Sequence, residues 1–125
     1  MKIGISSTGK DLTATVDQRF GRCPYFLMVD TDTMHTTAVA NRQAQAGGGA
    51  GIQAAQELAN AGVHAVISGN VGPNAFRTLQ AAGIEIITGV SGTAAEAVEQ
   101  YQKGRLSSSQ KPSVDSHHGA RTEER

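Results

Sequence analysis

The chain has 125 residues, a single cysteine, no tryptophan, and 11 basic against 11 acidic side chains. That length holds one domain around one core. The balanced charge lacks the basic excess that nucleic-acid binders use to displace counterions, the scarcity of aromatics excludes a base-stacking platform, and the apolar segments are far shorter than the ~20 residues of a spanning helix.

In chain order, Lys2-Ile3-Gly4-Ile5-Ser6 predicts a short, mostly buried strand, and Ser7-Thr8-Gly9-Lys10-Asp11 is turn chemistry. Residues 12–16 alternate weakly and read as an extended piece. Tyr25 to Asp30 is apolar, aromatic and β-branched, a strand pattern. Thr31-Asp32-Thr33 connects it to a second strand from Met34 to Ala40, giving an antiparallel hairpin.

From Ala50 to Ala61 the period becomes helical, with Ile52, Ala55, Leu58 and Ala59 on one face and Gly62 as the stop. His64 to Ser68 is a short strand. Pro73 to Ala82 is a helix with proline in its first turn, Phe76 and Leu79 inward, and Gly83 as the stop. Ile84 to Ile87 is another strand. Thr93 to Lys103 is a helix, with Thr93 and Glu96 spaced as a capping box and Ala94, Ala97, Val98 and Tyr101 inward.

The order β-β-β-α-β-α-β-α predicts an α/β fold with a mixed five-stranded sheet and helices on both faces, ribonuclease-H-like in outline. Residues 1–106 form the domain. Residues 107–125 are polar, cannot bury enough surface to offset ordering entropy, and read as a disordered tail. The lone cysteine and an N-terminus that enters an apolar strand without a signal-peptide layout set the expectation of a cytoplasmic protein.

Three segments carry chemistry. Asp17-Gln18-Arg19-Phe20-Gly21-Arg22-Cys23-Pro24-Tyr25-Phe26 puts two arginines and the cysteine on a glycine-containing loop. Gly47-Gly48-Gly49-Ala50-Gly51 and Ser68-Gly69-Asn70-Val71-Gly72-Pro73 each lead into a helix, where backbone N–H groups and the positive helix end receive anions. The first glycine loop lacks the lysine-serine/threonine ending of a P-loop, which disfavours nucleotide binding.

These residues, from Val16 onward and together with Asn74-Ala75-Phe76, Ala82-Gly83-Ile84 and Gly92-Thr93, resemble the dinitrogenase iron-molybdenum cofactor biosynthesis family over about residues 1–106. The resemblance implies a ribonuclease-H-like fold and a non-enzymatic role in binding, carrying or maturing an anionic metal–sulfur cluster, such as the iron-molybdenum cofactor or a related precursor. It implies cluster donor or acceptor proteins as partners, with no nucleic acid and no membrane. The chain is expected as a monomer or homodimer.

The expected cluster-binding residues are Arg19, Gly21, Arg22, Cys23, Gly47, Gly48, Gly49, Gly51, Asn70 and Gly72. The arginines would supply charge-assisted hydrogen bonds, and Cys23 a thiolate metal ligand with its pKa lowered by Arg19 and Arg22. The competing readings are local: an arginine paired with Asp17, a small cysteine filling space, glycines serving only turns. His64 and His35 read as surface groups, and His117-His118 as part of a solvated tail. The alternative functions are a small regulatory interaction domain without metal and a ribonuclease-H-type hydrolase. The hydrolase is disfavoured because the first strand has no carboxylate for two-metal chemistry.

Overall fold

Side chains alternate across a strand, so a strand buried on both faces must be apolar at successive positions. That is the pattern of Lys2–Ser7 (β1) and Tyr25–Asp30 (β2), which with Thr36–Ala40 (β3), Ala65–Ile67 (β4) and Glu85–Ile87 (β5) build one five-stranded sheet in the order β3-β2-β1-β4-β5. The computed structural model describes residues 1–42 and 49–112. The pairs β1–β2 and β2–β3 are antiparallel, and β1–β4 and β4–β5 are parallel.

Helices Ala50–Asn60 (α1) and Pro73–Ala81 (α2) pack with Phe26, Val66 and Ile86 on one face of the sheet. Helix Ala94–Gln102 (α3) packs with Ile3, Ile5, Leu27, Val29 and Ile67 on the other. Each helix buries a narrow apolar stripe: Ala54, Ala55 and Leu58 in α1, Ala75, Phe76 and Leu79 in α2, Ala94, Ala97 and Val98 in α3. Ile52, expected inward, is half-exposed, and Ala54 takes its place in the core. The Thr93–Glu96 capping box forms with both hydrogen bonds.

Two boundaries differ from expectation. Met34 takes a left-handed backbone (φ 65°) and donates its N–H to the Asp30 carbonyl at 2.7 Å, so it closes the hairpin turn and β3 begins at Thr36. The tail expected to be disordered from Ser107 instead runs on along β5. The Ser109 N–H donates to the Ile86 carbonyl at 2.6 Å, the Ser109 and Thr88 hydroxyls lie 2.7 Å apart, and Ser108 hydrogen-bonds the Glu85 carboxylate. Composition hides this because main-chain pairing needs no apolar side chain. Residues 113–125, with His117 and His118, lie outside the described residues.

Candidate functional site

The stretch after residue 14 is drawn across the carboxyl ends of the parallel strands. Val16 bridges to Ser7, and the Asp17 N–H donates to the Ser6 carbonyl at 2.8 Å. The buried Ser6 hydroxyl returns a bond to the Asp17 carbonyl at 2.8 Å and lies 2.8 Å from the Ser68 hydroxyl, tying the stretch to β1 and to the end of β4. Arg19 then forms a parallel bridge with Asn70. The Phe20 N–H donates to the Asn70 carbonyl at 3.2 Å, and the Asn70 side-chain amide donates to the Gln18 carbonyl at 3.1 Å. The short 3-10 turn Phe20–Arg22 follows, with Phe20 driven into the core against Phe26 at a 5.2 Å ring separation.

That turn lies directly against the start of α1. A Cβ on Gly21 would stand 2.8 Å from the Gly51 Cα, so two glycines let one backbone rest on the other. Gly49 caps α1 from a left-handed conformation (φ 94°), which favours glycine. Neither α1 nor α2 receives a side-chain cap at its N-terminus, and Pro73 removes one N–H from the first turn of α2. Carboxyl-end crevices of this kind are where open α/β sheets receive ligands.

The result is a cavity of about 350 Å³ walled by Gln18, Arg19, Phe20, Gly21, Gly51, Asn70, Gly72 and Ala75. Of the residues expected from sequence, Arg19, Gly21, Gly51, Asn70 and Gly72 meet there. Arg22 is exposed beside it without forming the wall, and Gly49 stands one residue before α1. Gly47 and Gly48 lie outside the described residues. Gln18, Phe20 and Ala75 also form the wall and are not among the residues expected from sequence. The first two flank Arg19 in the same stretch, and Ala75 lies in the first turn of α2 after Gly72, so adjacency to the motif was the available signal.

Asp17 is buried, and its carboxylate accepts the Arg19 backbone N–H at 2.8 Å, the Arg19 Nε at 3.3 Å and the Arg19 Nη2 at 3.3 Å. This bond and charge raise the Arg19 pKa above its ordinary value, so the guanidinium stays cationic while its side chain remains 66% exposed at the cavity. The wall thus combines one fixed cation, side-chain amides and helix-entrance main chain. It contains no cysteine, histidine, aspartate or glutamate. Among the described residues no group of three or more such side chains is placed to hold a metal ion.

The expectation for Cys23 is corrected. Its side chain is fully buried, and its Sγ donates to the Phe20 carbonyl at 3.2 Å, within the core that holds Phe20 and Phe26. Asn41 locks the turn from the other side, donating to the carbonyls of Gly21 at 3.1 Å and Cys23 at 2.9 Å. Burial, then the Asp17 charge, pushes the thiol up to about 12, the reverse of the lowering expected from the arginines. A neutral, enclosed thiol is a packing group rather than a metal ligand. Because the folded pKa exceeds the unfolded one, its stabilising contribution is complete below about pH 8.5. It falls as pH rises from there toward about 12. Denaturant titrations should therefore show an alkaline loss of stability that Cys23→Ala reduces, and an unchanged alkaline slope in that variant would contradict the assignment.

His64 is exposed at the opposite end of the sheet, where its N–H donates to the Lys2 carbonyl, and His35 is exposed on the hairpin. Neither approaches the cavity wall. No helix among the described residues is long and apolar enough to cross a membrane.

Fold and site together define a small α/β protein with a crevice at the carboxyl edge of its parallel strands, walled by one arginine, two side-chain amides and helix-entrance main chain. The chain belongs to the dinitrogenase iron-molybdenum cofactor family, whose model matches residues 1–104. It is similar to the apo form of the orange protein from Desulfovibrio gigas, with 39% identity, 89% of this chain and 94% of that one covered, and a TM-score of 0.86. A Thermotoga protein provisionally called a NifB protein is 40% identical, with 86% and 91% covered and a TM-score of 0.75. An uncharacterised protein of Methanocaldococcus jannaschii is 28% identical over 90 residues, 70% of this chain and 76% of that protein.

Proposed function

We propose that this protein is a non-enzymatic carrier or scaffold that holds an anionic metal–sulfur cluster, the iron-molybdenum cofactor or a related iron–sulfur or molybdenum precursor, in the cavity beside Arg19. The observation that supports it most is the convergence of Arg19, Gly21, Gly51, Asn70 and Gly72, from three separate segments, on one crevice. Membership of a family named for that cofactor supports the choice of cargo.

The donor set favours a particular kind of binding. With no thiolate, imidazole or carboxylate in the wall, the protein has nothing there to complete a metal's coordination shell. A cluster that carries its own sulfides needs none. Its surface anions accept hydrogen bonds from Arg19, from the Asn70 and Gln18 amides and from main-chain N–H groups at the helix entrances. Cargo held this way is released without breaking a protein–metal bond, which suits exchange with donor and acceptor proteins in a reducing cytoplasm.

We class the fold as ribonuclease-H-like, a reading supported by the sheet order with its antiparallel half β3-β2-β1 and parallel half β1-β4-β5. Shared architecture does not carry hydrolase chemistry with it. Asp17 is committed to Arg19, while Asp30 and Glu85 lie at the other end of the sheet, level with Lys2 and Ala65. The cavity wall offers no pair of carboxylates for a two-metal reaction.

The test is anaerobic reconstitution with iron, molybdate and sulfide, read by visible absorbance and metal analysis after desalting. The expected result is a coloured protein with bound metal and sulfide. Arg19→Ala should retain it roughly 10- to 100-fold more weakly, the scale of one charge-assisted hydrogen bond, and Cys23→Ala should retain it normally. A folded wild-type protein that takes up no metal would favour an interaction domain without cargo. Normal retention by Arg19→Ala would reject this site.

A further inference from the structure

The two edges of the sheet are treated differently. Beyond β5 the chain's own Ser108–Ser109 segment supplies hydrogen bonds to Ile86, Thr88 and Glu85. The β3 edge is Thr36-Thr37-Ala38-Val39-Ala40, and it carries none of the charges, prolines or bulges with which natural edge strands block pairing. The large apolar side chains exposed among the described residues are Met1, Met34 at 40% and Val39 at 39%, and the last two belong to this hairpin. Val39 also joins two adjoining hollows. One of about 290 Å³ lies among Phe26, Met28, Leu58 and Ala61, and one of about 340 Å³ adds Lys2, Asp30, His35 and Thr37. Among the described residues, the outer strand and the groove beside it form one continuous surface that α1 leaves uncovered.

We propose that this edge is the interface of a homodimer in which β3 pairs antiparallel with β3 of a second copy, joining the two sheets. The strand suits its own reverse. A two-fold axis through Ala38 sets Thr36 opposite Ala40 and Thr37 opposite Val39, so no like charges meet. Val39 and Thr37 both lie on the groove side of the sheet, as their shared hollow with Met28 shows. Each Val39 then caps the groove of the other copy.

The charges flanking the strand are complementary under the same axis. At one end of β3 the hairpin carries two carboxylates, Asp32 and Asp30, set against one cation, the Met1 ammonium, at 2.9 and 3.9 Å, and the exposed Arg42 follows the other end. Antiparallel pairing brings each Arg42 to the partner's acidic hairpin, opposite Met34. Among the described residues no other segment pairs with this edge. The cavity at Arg19 lies between the entrances of α1 and α2, and no residue of β3 forms its wall.

Sedimentation equilibrium of the full chain from micromolar to millimolar concentration tests this. Expected are a concentration-dependent monomer–dimer equilibrium, weakened by salt, and a monomer for Val39→Lys whose circular dichroism matches wild type. Arg42→Glu should weaken the dimer several-fold, and Arg42→Glu combined with Asp32→Arg should recover it. Isotope-filtered NMR of mixed labelled and unlabelled chains should show Thr37 of one copy against Val39 of the other. A monomer at millimolar concentration, a dimer untouched by Val39→Lys, intermolecular contacts confined to another face, or capture of a different protein at this strand would each overturn the proposal.

Discussion

Phe20→Ala is expected to lower the unfolding free energy by about 3–5 kcal/mol, the cost of truncating a well-packed aromatic. Phe20 is 2% exposed, stacks at a tilt on Phe26, and belongs at once to the core under α1 and α2 and to the cavity wall. The Phe20 carbonyl accepts from Cys23 and its N–H donates to Asn70, so the ring's burial also anchors the backbone that presents Arg19 and Gly21. Against a total stability of about 5–15 kcal/mol for a typical domain, the loss corresponds to a fall in Tm of more than roughly 10 °C. Phe20→Leu, which keeps most of the volume, should cost much less. Denaturant unfolding decides it: a loss below about 1 kcal/mol for the alanine variant would show that the turn is not held by this ring.

The second large effect separates two glycines of the same cavity. Gly21→Ala places a methyl group 2.8 Å from the Gly51 Cα and 2.9 Å from its nitrogen. Both are backbone atoms at the start of α1 and cannot swing aside, so the 3-10 turn must move off the helix. Overpacking of this kind costs about 1–3 kcal/mol, and the displacement widens the crevice at the point where the cargo is proposed to lie. Gly72→Ala meets nothing within 4 Å, and the Gly72 φ of −74° is open to alanine. Its stability should match wild type within about 0.5 kcal/mol. Thermal unfolding with cluster retention on both variants is the measurement. Equal stabilities would mean that the turn and α1 are not in contact, and retention as strong in Gly21→Ala as in wild type would remove the turn from the site.

Much of the fold was legible because it depends on local periodicity and stop signals. The apolar run of β2, the helical spacing of Ala55 and Leu58, Pro73 at the start of α2 and the Thr93–Glu96 box are each short-range features, and each sits where its chemistry requires. Met34 has a side chain that suits a strand, but the Asp30 carbonyl claims its N–H and holds it in the turn. Ser109 departs from the disorder its polar surroundings predict because its contribution is a main-chain bond to a strand remote in sequence.

The site was legible by residue type and not by residue. Arg19, Gly21, Asn70 and Gly72 stood out as donors on glycine loops, yet the same reasoning chose Cys23, which differs from Arg19 in facing the core. A single residue's placement in a tight turn decides whether its side chain points to solvent or to Phe26, and no periodicity exists over three residues to reveal it.

By itself, the order of residues determined the secondary elements, the single-domain α/β class and a supply of anion-friendly groups. Those follow from dihedral preferences and apolar spacing, which act between near neighbours. Only the tertiary structure decided that Arg19, Gly51 and Gly72 share one wall, that Cys23 is sealed and neutral, and that β3 is the outer strand left open among the described residues. Each of these is fixed by which segments pack together across the sheet, a matter of long-range burial and main-chain pairing that no local stretch encodes.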